Sequence, residues 1–198
     1  MQQPKDLPIK KPEGNLFIIS APSGAGKTTL CNALLKSFPD ICYSVSHTTR
    51  PPRGNEKQGV DYFFIQKKEF ETKLQQGYWA EWAEVHGNFY ATSHKFLTRN
   101  LKRGRDVLLD IDVQGTRQIL KNYPDSITIF VMPPSLEMLR LRLESRGTDS
   151  QEAIERRLRD ASKEMQQRHL YRHIVVNDQL NEAVDHLVNI VKTYRSIL

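Results

Sequence analysis

The chain has 198 residues, 38% hydrophobic and 26% charged, enough for one substantial core and with no low-complexity tract. Its formal net charge of +6 points to an anionic partner. The basic residues are interspersed with acidic ones, as in EAIERRLRDASKEM, so small phosphates are favoured over nucleic acid. Cys31 and Cys42 lack metal-ligand or CxxC spacing and read as reduced thiols. No apolar run reaches the roughly 18 residues of a membrane span. The polar start MQQPKDLPIKKPEG has no signal-peptide core, so residues 1–13 read as a flexible leader and the protein as cytoplasmic.

LFIIS, Leu16 to Ser20, is the continuous apolar run of a strand covered on both faces. It leads into APSGAGKTT, and CNALLKSF then reads as a helix. A strand is expected near ICYSVS, followed by the proline-stiffened loop HTTRPPRG. DYFFI, WAEWAEV and NFYAT read as strands, with a helix over KKEFETKLQQG between the first two. HKFLTRNLKRG is a helix closed by Gly104, DVLLDID a strand, QGTRQILKNY a helix, and SITIFVM a strand stopped by Pro133 and Pro134. Charged helical sequence runs from Ser135 to about Tyr171, broken near RGTDS, and HIVVND is the last strand. The tail helix is expected to bury Leu180, Val184, Leu187, Val188, Val191 and Leu198, largely spaced at three and four.

Alternating strands and helices predict an α/β fold, a mainly parallel sheet with helices on both faces. Two stretches break the rhythm: residues 46–92 carry several strands in succession, and 142–168 are nearly all charged helix. Both read as insertions into one domain, 14–198. Its core would be 14–45, 93–137 and 170–198, with inserted lobes at 46–92 and 138–169.

APSGAGKT fits the phosphate-binding pattern G-x-x-x-x-G-K-[ST] except at Ala21, between an expected strand and an expected helix. Gly24 and Gly26 let the backbone curl around a phosphate, Lys27 adds a point charge, and Thr28 offers a hydroxyl to Mg²⁺. Such a site serves hydrolysis, a switch or phosphoryl transfer. The N-K-x-D motif of a guanine-reading switch is missing, and transfer needs a second anion site. Arg50 and Arg53 suit bidentate contacts to phosphate, although such a loop alone reads equally as a solvated basic turn. Tyr62 and Tyr90 lie in the same insertion. Alternation along WAEWAEV places Trp79, Glu81, Ala83 and Val85 on one face, leaving Glu81 in apolar company. That carboxylate needs a partner: a structural arginine, or a ligand with two adjacent N–H donors such as guanine. Asp110 and Asp112 share a face at the carboxyl end of a core strand, where open α/β sheets bind ligands. Trp79 and Trp82 read as core aromatics. His169 and His173 lack the glutamate of H-E-x-x-H and are not read as a zinc site. Arg156 and Arg159 read as a solvated helix face, with Glu155 and Arg159 as an i,i+4 pair.

In order and spacing, ISAPSGAGKTT, VSHTTRPPRG with VDYFF, EWAEVHGNFYATS, LLDIDVQG, RLESRGTDS and VVND resemble the motifs of guanylate kinases, from about Leu16 to the C-terminus. The resemblance implies a P-loop kinase fold with an inserted GMP-binding lobe and a helical lid. It implies Mg²⁺-dependent transfer of the γ-phosphoryl group of ATP to GMP, and to dGMP, in purine nucleotide metabolism. Ala21, Pro22, Ser23, Gly24, Ala25, Gly26, Lys27, Thr28 and Thr29 would then hold ATP, with Asn177 near its adenine. The GMP phosphate would meet Arg50, Arg53, Tyr62 and Tyr90. Guanine would be read by Ser46, Glu81, Thr92 and Asp112, with Asp110 close by. Lys27 and the lid arginines Arg142 and Arg146, joined by Arg157, would form the catalytic set. His47 and Ala91 depart from the small residue and the glycine usual at those positions. Two other readings stay open. A phosphopeptide-binding module of the same fold usually loses the phosphate-loop residues that are intact here. A kinase for another acceptor is opposed by Glu81 and Asp112, which would repel the carbonyl of a uracil or thymine edge. Whether the chain forms a homo-oligomer is left open.

Overall fold

The structure, a computed structural model, describes residues 14–85, 87–145, 147 and 150–196; the expected leader, Arg146 and Leu198 lie outside the described residues. The core sheet has five strands in the order β2-β7-β1-β8-β9: β2 (Cys42–Tyr43), β7 (Val107–Asp110), β1 (Leu16–Ser20), β8 (Ile127–Met132) and β9 (His173–Val176). Every pair is parallel, and β1 is buried along its whole length, as its unbroken apolar run requires. On one face Phe17 and Ile19 pack against Leu30 and Leu34 of α1 (Lys27–Ser37) and Leu187 of α7 (Leu180–Arg195). On the other, Ile18 and Leu109 meet Leu97 and Leu101 of α3 (His94–Leu101) and Ile119 of α4 (Val113–Asn122).

The tail helix buries much of the expected stripe, with Ala183 and Ile190 added and Leu180 left out. Ala183, Leu187, Ile190 and Val191 are buried and Val184 and Val188 flank them, whereas Leu180 is 44% exposed. Leu180 opens the helix beside edge strand β9, with no further strand to cover it.

A second sheet occupies the first insertion, in the order β4-β3-β6-β5: β4 (Phe63–Phe64), β3 (His47–Thr48), β6 (Asn88–Ser93) and β5 (Trp79–Val85). Helix α2 (Lys67–Gln75) lies behind it, with Phe70 stacked on Trp79 at 5.2 Å and on Phe89 at 4.9 Å. The expectation that Trp79 and Glu81 share a face is corrected here. Trp79 pairs with Ser93 but Glu81 with Thr92, so an extra residue bulges at Ala80 and reverses the alternation. Trp79 therefore joins the aromatic cluster while Glu81 faces the other way.

The second insertion is a helical pair, α5 (Leu136–Glu144) and α6 (Gln151–Gln166), closed by a 3₁₀ turn at Gln167–Leu170. Ser135 and Ser150 cap the two helices by accepting N–H bonds from Met138 and Ala153. Leu139, Leu143, Ile154, Leu158 and Ala161 pack them together. Arg156 and Arg159 are exposed. Glu155, however, pairs with Arg140 of α5 at 2.5 Å, tying the helices to each other. Among the described residues no helix is long and apolar enough to cross a membrane.

Candidate active site

The turn from β1 into α1 leaves an uncapped helix N-terminus. No side chain caps α1, its first turn holds no acid, and the positive φ of Gly24 and Gly26 (94° and 91°) curls the loop. A side chain at Gly24 would lie 3.0 Å from both Leu139 and Leu143, so α5 packs directly on the loop. Ala21 lies before the curled part and rests against the core beside α1. Pro22 accepts the N–H of Ala25 through its carbonyl, while Ser23, Thr28 and Thr29 are exposed. Lys27 is ion-paired with Asp110 at the end of β7. Burial opposes the Lys27 charge, but the Asp110 carboxylate outweighs it, and the ammonium pKa is raised.

Asn177, expected near a nucleobase, has its carboxamide committed elsewhere. It is buried and donates to the Ala25 carbonyl at 2.8 Å, bracing the loop against the end of β9. Its own carbonyl accepts from Arg142 Nη2 at 2.8 Å, so Arg142 lies beside the loop. Arg157 is half-buried on α6.

The second anion site is built around Arg50, only 6% exposed. Its Nη1 and Nη2 donate to both oxygens of Glu56 at 2.9 and 2.8 Å, and its Nε donates to Tyr90 Oη at 3.3 Å. The guanidinium also lies over the Tyr62 ring, 5.3 Å from its centroid. Arg53 is exposed, and its backbone N–H donates to Glu56 at 2.7 Å. Glu56 escaped the sequence reading, although it lies only three residues beyond Arg53. Burial and then the charge of Asp110 push the Tyr62 phenol up, and that charge links this site to the first.

Glu81 and Asp112 meet at the start of α4. Asp112 caps the helix by accepting the Gly115 N–H at 2.8 Å. Glu81 is 4% exposed and accepts the Thr92 hydroxyl proton at 2.6 Å. A side chain on Gly115 would sit 2.4 Å from Glu81 Oε2, so this glycine makes room for the carboxylate. Burial first, and then the Asp112 charge, push the Glu81 carboxyl up to about 7. The same two causes, with Asp112 facing it, raise Glu164 of α6 to about 7. Ser46 is half-buried and its carbonyl accepts the Phe63 N–H. Ala91 points away from this cluster into the aromatics behind β6, where its Cα partner His47 stacks at 4.7 Å on Phe63. His47 thus fills that apolar layer. Burial and then Lys73 hold its ring down at about 4, and its Nδ1 has no hydrogen-bond partner.

A buried relay of three hydroxyls connects these parts. Tyr171 donates to Thr116 at 3.2 Å, Thr116 lies 3.0 Å from Ser20, and Ser20 donates to the Ile111 carbonyl at 2.7 Å. The Thr116 hydroxyl also donates to the Asp112 carbonyl at 2.9 Å, and that carbonyl accepts the Thr116 N–H as well. Three hydroxyl protons are thus shared among four contacts, with the Ile111 and Asp112 carbonyls as acceptors only. The exit of the helical pair is so joined to the entrance of the phosphate loop and the turn carrying Asp112. Nothing in the sequence marks these three hydroxyls as neighbours.

The guanylate kinase family model matches residues 13–194. A guanylate kinase of Geobacter metallireducens is 49% identical over 185 residues, covering 93% of this chain and 91% of that protein. One from Thiobacillus denitrificans is 49% identical over 182 residues, covering 92% and 87%. The crystal structure of guanylate kinase from Anaplasma phagocytophilum superposes with a TM-score of 0.78 at 34% identity, over 93% of this chain and 87% of that one.

Proposed function

The chain belongs to the guanylate kinase family, and we propose that it transfers the γ-phosphoryl group of ATP to GMP, giving ADP and GDP, in the cytoplasm. dGMP, with the same base and phosphate, is a second acceptor. The observation that carries the reading is the pair of adjacent carboxylates, Glu81 and Asp112, beside the phosphate loop. Two acceptors side by side match the N1–H and N2–H₂ donors of guanine, with Thr92 fixing Glu81 and Ser46 at the rim.

The ATP phosphates lie in the loop from Ala21 to Thr29, against the α1 N-terminus. Lys27 exchanges the Asp110 carboxylate for phosphate oxygens, so its ammonium keeps an anionic partner throughout. Arg50, Arg53, Tyr62 and Tyr90 hold the acceptor phosphate. The attacking oxygen is already anionic, because a phosphate monoester's second pKa is about 6, so no general base is required. Residues 138–169 serve as a lid, with Arg142, Arg146 and Arg157 neutralising charge on the transferring group and closure excluding water. Asn177 acts as the brace of the loop.

Mg²⁺ would be held by the Thr28 hydroxyl together with phosphate oxygens of ATP. An exposed hydroxyl at the head of α1 suits a hard cation that keeps most of its shell as water and phosphate. When bound, the ion neutralises phosphate charge.

The test is ADP release from Mg·ATP with GMP, dGMP, AMP, CMP, UMP and dTMP in turn. Turnover with GMP and dGMP far above the others is expected. Turnover with another acceptor overturns the reading of Glu81 and Asp112. Silence with every acceptor, from folded protein, transfers the weight to a phosphopeptide-binding module.

A further inference from the structure

β5 is an edge strand, and the bulge at Ala80 interrupts its ladder with β6 just before Glu81. From Glu81 onward the ladder is regular, Glu81 pairing with Thr92, so the sheet holds this strand on one side only. On the open side a side chain of α4 bonds to the strand backbone. Gln118 of α4 donates from Nε2 to the Trp82 carbonyl at 2.6 Å and accepts the Trp82 N–H through Oε1 at 3.2 Å. Its carboxamide turns one N–H and its oxygen to both backbone groups of the residue after Glu81, as a peptide unit would, while Nε2 also reaches the Gln114 carbonyl at 3.4 Å. Gly115, three residues earlier on the same helix face, lies beneath Glu81 Oε2. The helix that Asp112 caps thus also bonds to the backbone of the strand that carries Glu81, whose register β6 sets.

We propose that Gln118 is a positioning residue for base selection: by pinning Trp82 to α4, it sets the distance between the Glu81 and Asp112 carboxylates that face the guanine edge. This rests on the reading of Glu81 as a guanine contact. Gln118 itself touches no substrate. Its loss would leave the phosphate loop and the Arg50 site in place, and would loosen only the discrimination between bases.

The test compares kcat/KM for GMP and for IMP, whose base lacks the 2-amino group, in the wild type and in Gln118→Met. Methionine keeps the length and volume of the side chain and removes both bonds. In the wild type GMP is preferred, because Glu81 and Asp112 together receive both donors. In Gln118→Met the GMP/IMP ratio falls by about tenfold, the worth of a hydrogen bond to a charged group, while KM for ATP is unchanged. Should that variant fail to fold, Gln118→Glu, which accepts from the Trp82 N–H but cannot donate to its carbonyl, is expected to show a smaller fall in the same ratio. A ratio kept at the wild-type value in a folded variant, whatever its melting temperature, makes Gln118 merely structural and overturns the proposal. A wild type that does not distinguish GMP from IMP overturns the reading of Glu81, and the proposal with it.

Discussion

Binding of GMP should release a proton near neutral pH, and Glu81 should be its source. Burial and Asp112 raise this carboxyl from 4.5 to about 7. At 1.36 kcal/mol per pKa unit, keeping it ionised costs about 3 kcal/mol. The folded state therefore holds more protons than the unfolded one between these two values. The group's contribution to stability falls as pH rises through that window, and the full penalty applies above about 7. Guanine donors favour the ionised form and offset the penalty, so the pKa drops in the complex. Below pH 7 GMP must expel the proton, and its apparent Kd should weaken by up to tenfold per pH unit; above it the dependence should flatten. Calorimetric titration at pH 6, in two buffers of different ionisation enthalpy, counts the protons. Two other groups titrate nearby, the GMP phosphate near 6 and Glu164 near 7, and both persist in Glu81→Gln. The wild type should release close to one proton more than Glu81→Gln. Equal proton counts in the two would refute the assignment of the titrating group to Glu81.

Lys27→Ala should lower kcat by on the order of 10³ or more while GMP affinity stays nearly intact; equal loss of both would mean the two anion sites are exchanged. Arg50→Ala should weaken GMP binding by at least about tenfold, the scale of a charge-assisted bond, and an unchanged Kd by equilibrium titration would remove Arg50 from the acceptor site. Gly24→Ala places a methyl 3.0 Å from Leu139 and Leu143 at a φ of 94°. Its backbone strain of about 1–2 kcal/mol should appear as a raised KM for ATP and an unchanged Kd for GMP. Tyr171→Phe removes the first donor of the hydroxyl relay and should cost about 1 kcal/mol, a fall of roughly 2–4 °C in Tm by thermal denaturation. An unshifted Tm would mean that the relay carries no net stability.

The sequence is most legible where a residue's purpose is local. The phosphate loop lies between its strand and its helix within a dozen residues, and β1 announces its double cover by being apolar throughout. Glu81 is legible for a related reason: its charge lies in apolar company and asks for a ligand or a distant partner. Arg50 is legible as a guanidinium on a proline-stiffened loop. The residues that answer are the illegible ones. Glu56 grips Arg50 and leaves it aligned. Gly115 makes room beneath Glu81 by lacking a methyl, while its N–H holds Asp112. Gln118 looks like any polar residue on an amphipathic helix until the bulge at Ala80 brings Trp82 against it. WAEWAEV repeats every three residues, out of step with a regular strand, but only the ladder with β6 shows that Ala80 is the extra residue. Strand β3 is two residues long and exists because β6 and β4 flank it. Chemistry that must meet a substrate is thus written in residue types, whereas the geometry that aims it is written in contacts between segments far apart in the chain. The same division explains why the anion sites can be read before the fold is known, while selectivity, which depends on how Glu81 is held, becomes arguable only afterwards.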